Sequence, residues 1–128
     1  MNYCIDTNIL IYFLNKSLPS SFHNKFLHIL EESFNVSVIS KIELLGFPKL
    51  DTTSFETIKK FIKNAKIYHL NELIADKTIN LRREYNIKLA DAIIAATCLI
   101  YNFELITRNS DDFKEIKSLK LLNPYEYL

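Results

Sequence analysis

Asp6, Glu43, Asp91 and Asp112 lie far apart in the chain, yet each stands where an apolar run yields to a polar turn or where a helical pattern begins. Oxygen ligands of this kind suit hard divalent cations such as Mg²⁺ or Mn²⁺. Mg²⁺ keeps several waters and takes only a few carboxylates, with substrate phosphates completing its shell. Carboxylates brought together from four segments therefore point toward phosphate chemistry. The histidines His23, His28 and His69 have no metal-ligand spacing and lie away from these acidic segments.

Each acid also has a plainer explanation. Asp6 or Asn8 at a strand-to-helix turn can cap the helix, and Glu43 can face solvent on a short helix, although Ile42, Leu44, Leu45 and Phe47 leave little polar face around it. Asp91 is harder to dismiss. In Leu89-Ala90-Asp91-Ala92-Ile93-Ile94-Ala95-Ala96 it is the lone charge of an apolar run, and an unpaired buried charge is expensive. In Thr107-Arg108-Asn109-Ser110-Asp111-Asp112-Phe113, capping of a following helix accounts for Ser110, Asp111 and Asp112 equally well.

The elements that must position these residues alternate. Residues 2–6 read as a buried strand ended by Asp6, and 9–14 as helix. Ser20 or Ser21 is expected to cap a helix running to about Ser33, and 36–39 to form the second strand. Ser40 then caps a short helix that carries Glu43 on or near its first turn and ends by Gly46 and Pro48. Thr53 or Ser54 starts the next helix, 66–70 alternates like a strand, and 72–85 and 88–102 are helical. A strand at 105–107, a helical turn at 112–116 and a last strand at 119–122 complete the pattern.

Alternation of this kind implies an α/β domain with a mostly parallel sheet of about four or five strands and helices on both faces. Such sheets bind ligands beyond the carboxyl ends of their strands. Asp6, the Ser40–Glu43 segment, and Thr107, Asn109 and Asp112 all follow strands, so three segments should meet at one edge. Repeats, linkers and low-complexity stretches are absent from the sequence.

The bulk numbers permit this. A chain of 128 residues with 48% hydrophobic content builds one domain, expected to span 1–128. Sixteen Lys and Arg against fifteen Asp and Glu leave a net charge of +1, so attraction for a polyanion must be local. Lys41, Lys49, Arg82, Arg83, Lys88 and Arg108 are the local cations available, with Arg108 beside the acidic edge. Cys4 and Cys98 sit in apolar runs and are expected to be buried thiols. The opening Met1-Asn2-Tyr3 has no basic-then-apolar leader, and no apolar run reaches a membrane span, so a cytoplasmic protein is expected.

Taken in order, Asp6-Thr7-Asn8-Ile9-Leu10, Ser40-Lys41-Ile42-Glu43-Leu44-Leu45-Gly46, Leu89 to Ala96, and Leu105-Ile106-Thr107-Arg108-Asn109 with Asp112-Phe113 resemble the motifs of PIN-domain ribonucleases, and among them the VapC-type toxins of toxin–antitoxin pairs. The resemblance covers essentially the whole chain. It implies an endoribonuclease dependent on Mg²⁺ or Mn²⁺, with Asp6 and Asp91 as principal metal ligands and Glu43 as a third acid binding directly or through water. Thr7 and Asn8 would support Asp6, and Thr107 would help order the site. The position after Thr107-Arg108 often carries aspartate in such proteins; here it is Asn109, so either Asp112 takes over or Asn109 acts through water. Arg108 and Lys41 are the expected RNA contacts. The resemblance further implies a homodimer and a VapB-like antitoxin laid along the acidic edge, in an apolar groove including Phe13, Leu44, Leu45 and Phe47.

Rival readings fit less of the sequence. An aspartate-nucleophile phosphatase generally has a second aspartate two residues after the first, where this chain has Asn8. A receiver-like signalling domain normally has paired acids after strand one and a lysine after the last strand, against one acid and Thr107-Arg108 here. A catalytically weak PIN-like module that binds RNA or a partner stays open because of Asn109.

Overall fold

The computed structural model describes residues 2–127; of the domain expected over 1–128, Met1 and Leu128 lie outside the described residues. Its strands are β1 (Tyr3–Ile5), β2 (Asn35–Ser37), β3 (Lys66–Tyr68), β4 (Glu104–Ile106) and β5 (Leu121–Leu122). Its helices are α1 (Thr7–Leu14), α2 (His23–Glu32), α3 (Val38–Leu45), α4 (Thr52–Ile62), α5 (Glu72–Glu84) and α6 (Leu89–Tyr101), with 3₁₀ turns at Ser20–Phe22, Ser110–Asp112 and Pro124–Glu126.

The sheet order is β3-β2-β1-β4-β5, and all four pairings are parallel. Chain growth runs outward from β1 through β2 to β3, then returns to β4 on its other side. The reversal of order falls between β1 and β4, where an open α/β sheet leaves a crevice at its carboxyl edge. Side chains alternate across the pleat. Cys4 and Leu105 enter a core with α5 and α6 residues such as Ile74, Leu81 and Ile94. Ile5, Val36 and Ile106 enter the opposite core with Ile9, Leu10, Phe26, Leu44 and Ile62. Helices thus cover both faces of the sheet.

Several boundaries differ from expectation. The second strand stops at Ser37, and Val38 and Ile39 already belong to α3. Ser37 is the cap: its Oγ accepts the Ile39 N–H at 3.1 Å, from an extended backbone of φ −65° and ψ 145°. The branched Val38-Ile39 pair suits a strand by propensity, but the cap turns it into the first helical turn. Ser40 is therefore inside α3, and Glu43 is on its second turn. Neither Ser20 nor Ser21 caps α2, which follows the 3₁₀ turn instead. Asp51, not Thr53 or Ser54, caps α4, accepting the Ser54 N–H at 2.7 Å. The turn expected at 112–116 lies at Ser110–Asp112, so Asp112 ends it.

Cys4 and Cys98 are buried and unbridged, and hydrogen bonding to Cys4 together with burial pushes the Cys98 thiol well up. Among the described residues no helix is long and apolar enough to cross a membrane.

Candidate active site

The in-register pairing of β1 with β4 aligns Ile5 with Ile106, so the next residues, Asp6 and Thr107, leave the sheet side by side. The Asp6 N–H still donates to the Ile106 carbonyl at 2.9 Å. Asp6 is 5% exposed and is the cap of α1, its Oδ1 accepting the Thr7 N–H at 2.8 Å. Capping accounts for only one oxygen. Oδ2 accepts from the Asn8 amide at 3.0 Å and from the Thr107 hydroxyl at 2.8 Å. A carboxylate has about four acceptor positions, so these donors hold the group still and leave about one for anything in the crevice. Burial raises the Asp6 pKa from its ordinary value; the Thr107, Thr7 and Asn8 bonds oppose this, and the Glu43 charge adds to it.

Glu43 is exposed on the second turn of α3, and its Oε1 accepts the Thr7 hydroxyl at 2.6 Å. Thr7 Oγ1 also lies 2.8 Å from the buried Ser40 Oγ. Thr7 has one proton to give, so Ser40 donates in the second bond. Ser40 thus joins α1 to α3 beneath Glu43. Its place three residues before Glu43 on a helix was the available sequence signal, hidden by its expected role as a cap.

Asp91 lies in the first turn of α6, half-buried, with no hydrogen-bond or ion-pair partner among the described residues. Its pKa is pushed up to about 6, first by burial and then by the charges of Asp6, Asp112 and Glu43, against the pull of Lys88. The three charges that raise it are those of the other predicted carboxylates. Asp112 is exposed and reaches Asp91 through its field. Asn109 is exposed, and its N–H donates to Thr107 Oγ1 at 3.0 Å. The Arg108 N–H donates to Asn8 Oδ1 at 3.2 Å. Lys41 is half-exposed on α3 and makes no ion pair among the described residues. It is two residues from Glu43, a separation that places side chains on different sides of a helix.

An all-carboxylate donor set matches Mg²⁺ or Mn²⁺ rather than a softer ion. Among the described residues no three acidic, imidazole or thiolate groups are already close enough to encase an ion, so water and phosphate oxygens would have to supply much of a shell.

Two hollows flank the acids. One, of about 380 Å³, runs from Glu43 along Ile11, Leu14, Leu44, Phe47, Leu50 and Ile58. Of the expected groove residues it contains Leu44 and Phe47, whereas Phe13 and Leu45 are half-buried against the core, Phe13 beside Phe26 of α2 and Phe61 of α4. The other, of about 240 Å³, joins Asp91 to Asp111, Asp112 and Glu115.

No curated protein sequence matches this chain. Among solved structures it is similar to one chain of a toxin–antitoxin complex from Klebsiella pneumoniae, at 30% identity and a TM-score of 0.78, covering 98% of this chain and 99% of that one. It is also similar to a chain of VapBC2 from Rickettsia felis bound to a promoter DNA fragment, at 26% identity and a TM-score of 0.82, covering 96% and 98%. VapBC-1 from nontypeable Haemophilus influenzae gives 25% identity and a TM-score of 0.81, covering 98% and 100%. The PIN domain family model matches residues 3–119, and with the parallel sheet and the carboxylates at its switch point this chain belongs to the PIN domain family.

Proposed function

We propose that the protein is a metal-dependent endoribonuclease acting in the cytoplasm as the toxin of a toxin–antitoxin pair. The observation that carries the reading is Asp91: a half-buried carboxylate pressed by Asp6, Asp112 and Glu43 and without an ion-pair partner among the described residues, with Lys88 pulling the other way. Such a group is stabilised by a bound cation and by little else nearby.

When bound, Mg²⁺ or Mn²⁺ makes water nucleophilic near neutral pH and stabilises charge building on the phosphate. The chain's own part is positioning. Asp6, fixed by three donors, and Asp91, at the start of α6, are the principal ligands. Glu43, steadied by Thr7, is the third acid, directly or through water. Asp112 or Asn109 closes the fourth corner, and Thr107 keeps Asp6 in place. Attack by water, rather than by the RNA 2′-hydroxyl, leaves 5′-phosphate and 3′-hydroxyl ends.

The toxin role follows from likeness to chains of toxin–antitoxin complexes. A VapB-like antitoxin fits the apolar hollow that begins at Glu43, where an amphipathic segment buries its face and closes access to the acids. The protein is proposed to be a homodimer.

The test is cleavage of a defined RNA pool with Mg²⁺ or Mn²⁺, wild type against Asp91→Asn, with product ends mapped. Metal-dependent cleavage lost in the variant supports the reading; unchanged activity or cyclic phosphate ends overturn it. A second reading, a PIN-like module that binds RNA or a partner without cutting, is favoured by the spread of the acids, which form no ready three-ligand set among the described residues. RNA binding without cleavage under either metal selects it.

A further inference from the structure

Arg108 leaves β4 one residue after Thr107, beside a carboxylate edge, yet it forms no ion pair among the described residues. Its guanidinium lies instead over two aromatic rings, 4.1 Å from the Tyr125 centroid and 5.2 Å from that of Tyr12. The rings are set edge to face, 5.7 Å apart. Tyr12 is one helical turn after Asn8, on the same side of α1, and Asn8 holds both the Arg108 N–H and Asp6.

The cradle is itself fastened. The Tyr125 hydroxyl donates to the Ser17 carbonyl at 3.1 Å. Asn123 accepts the Tyr125 N–H at 2.9 Å and donates its amide to the Arg108 carbonyl at 3.2 Å. None of the guanidinium N–H donors has a protein acceptor among the described residues, and Arg108 is exposed. A cation stacked on aromatic faces keeps its edge free for planar, bidentate contact with a phosphate.

We propose that Arg108, held by Tyr12 and Tyr125, grips a backbone phosphate of the RNA strand next to the cleavage point. Tyr12 and Tyr125 are positioning residues that act through the arginine. This rests on the ribonuclease reading above. It supplies what a chain of net charge +1 lacks overall, a cation at the one edge where clustered carboxylates would repel a polyanion. The C-terminal 3₁₀ turn at Pro124–Glu126 thereby becomes part of the substrate site.

The test uses a fluorescent single-stranded RNA oligonucleotide, with binding followed by anisotropy in metal-free buffer across a salt series and cleavage followed separately in Mg²⁺ or Mn²⁺. Arg108→Ala should weaken metal-free binding about tenfold and lower the slope of log affinity against log salt by about 0.7, the value of one single-strand phosphate contact. Tyr125→Leu, which keeps every charge, should weaken binding about threefold, while Tyr125→Phe, which keeps the ring, should remain within twofold of wild type. In cleavage, Arg108→Lys should raise KM more than it lowers kcat. Unchanged RNA affinity and salt slope in Arg108→Ala, with wild-type cleavage intact, overturn the clamp alone. Wild type that neither binds nor cleaves RNA overturns the ribonuclease reading and the clamp with it. Variants that bind RNA normally but lose a co-expressed antitoxin assign the surface to a protein partner and also overturn the clamp.

Discussion

The Thr107 hydroxyl donates to Asp6 Oδ2 across 2.8 Å, joining the ends of β4 and β1 where the sheet order reverses. Thr107 Oγ1 in turn accepts the Asn109 N–H at 3.0 Å, which fixes the direction of its own proton toward Asp6. Thr107 is fully buried, so nothing but protein orients it. Thr107→Val, equal in shape but without the donor, should lower cleavage by about tenfold to a hundredfold, the usual cost of losing a hydrogen bond to a metal ligand, the role proposed for Asp6. Thr107→Ser should recover most of it. Single-turnover rates with Mn²⁺ check this; a fully active Thr107→Val enzyme would show that the bond does not order the site.

Asp91→Asn removes a charge with no partner among the described residues. In metal-free buffer the variant should be more stable than wild type, by on the order of 1 kcal/mol at neutral pH once solvent screening of the half-exposed group is allowed for. In Mg²⁺ or Mn²⁺ the order should reverse or close, because only wild type gains from the ion. Thermal melts of both proteins with EDTA and with metal measure the crossover. A less stable Asp91→Asn in EDTA would mean the carboxylate has a stabilising partner.

The pH dependence has a definite sign. Asp91 loses its proton at about 6 in the folded chain against 3.8 ordinarily. Between those values the folded state binds more protons than the unfolded one, so stability of the metal-free protein falls as pH rises from about 4 through about 6. Asp6, raised chiefly by burial, contributes in the same direction. Metal binding must displace these protons, so affinity for Mg²⁺ or Mn²⁺ should rise over the same range. Melts from pH 4.5 to 7.5 in EDTA should show the decline, and Asp91→Asn should flatten it; a metal-free stability that increases with pH over this window would contradict the shift.

Asp6 and Asp91 were legible in the sequence because each breaks an apolar pattern at a place the pattern itself locates, the end of a buried strand and the start of a buried helix. Glu43 was legible as a residue but not in its setting. Ser37 and Ser40 flank Val38-Ile39, and propensity favours a strand through the branched pair; only the Ser37 bond to the Ile39 N–H decides for helix. The Arg108 cradle could not be read locally. Tyr12 and Tyr125 come from opposite ends of the chain and meet only because the last 3₁₀ turn folds back over α1. Phe13 and Leu45 looked available for a groove by type and position, but the half-buried Phe13 stacks on Phe61 and lies tilted against Phe26.

Phe47 tests the partner surface separately from the chemistry. It is 62% exposed just beyond α3 and lines the hollow that starts at Glu43. The exposed part of that side chain contributes little to the isolated fold and gains on the order of 1–2 kcal/mol when covered. Phe47→Glu should therefore leave the melting temperature within a few degrees of wild type and keep RNA cleavage, while weakening a VapB-like antitoxin by roughly tenfold or more, because burial is lost and a charge is forced into an apolar groove beside Glu43. Calorimetric titration with the antitoxin, paired with cleavage assays, separates the two effects. Antitoxin affinity unchanged by Phe47→Glu would place the partner elsewhere on the molecule, and cleavage lost with it would make the hollow part of the RNA path.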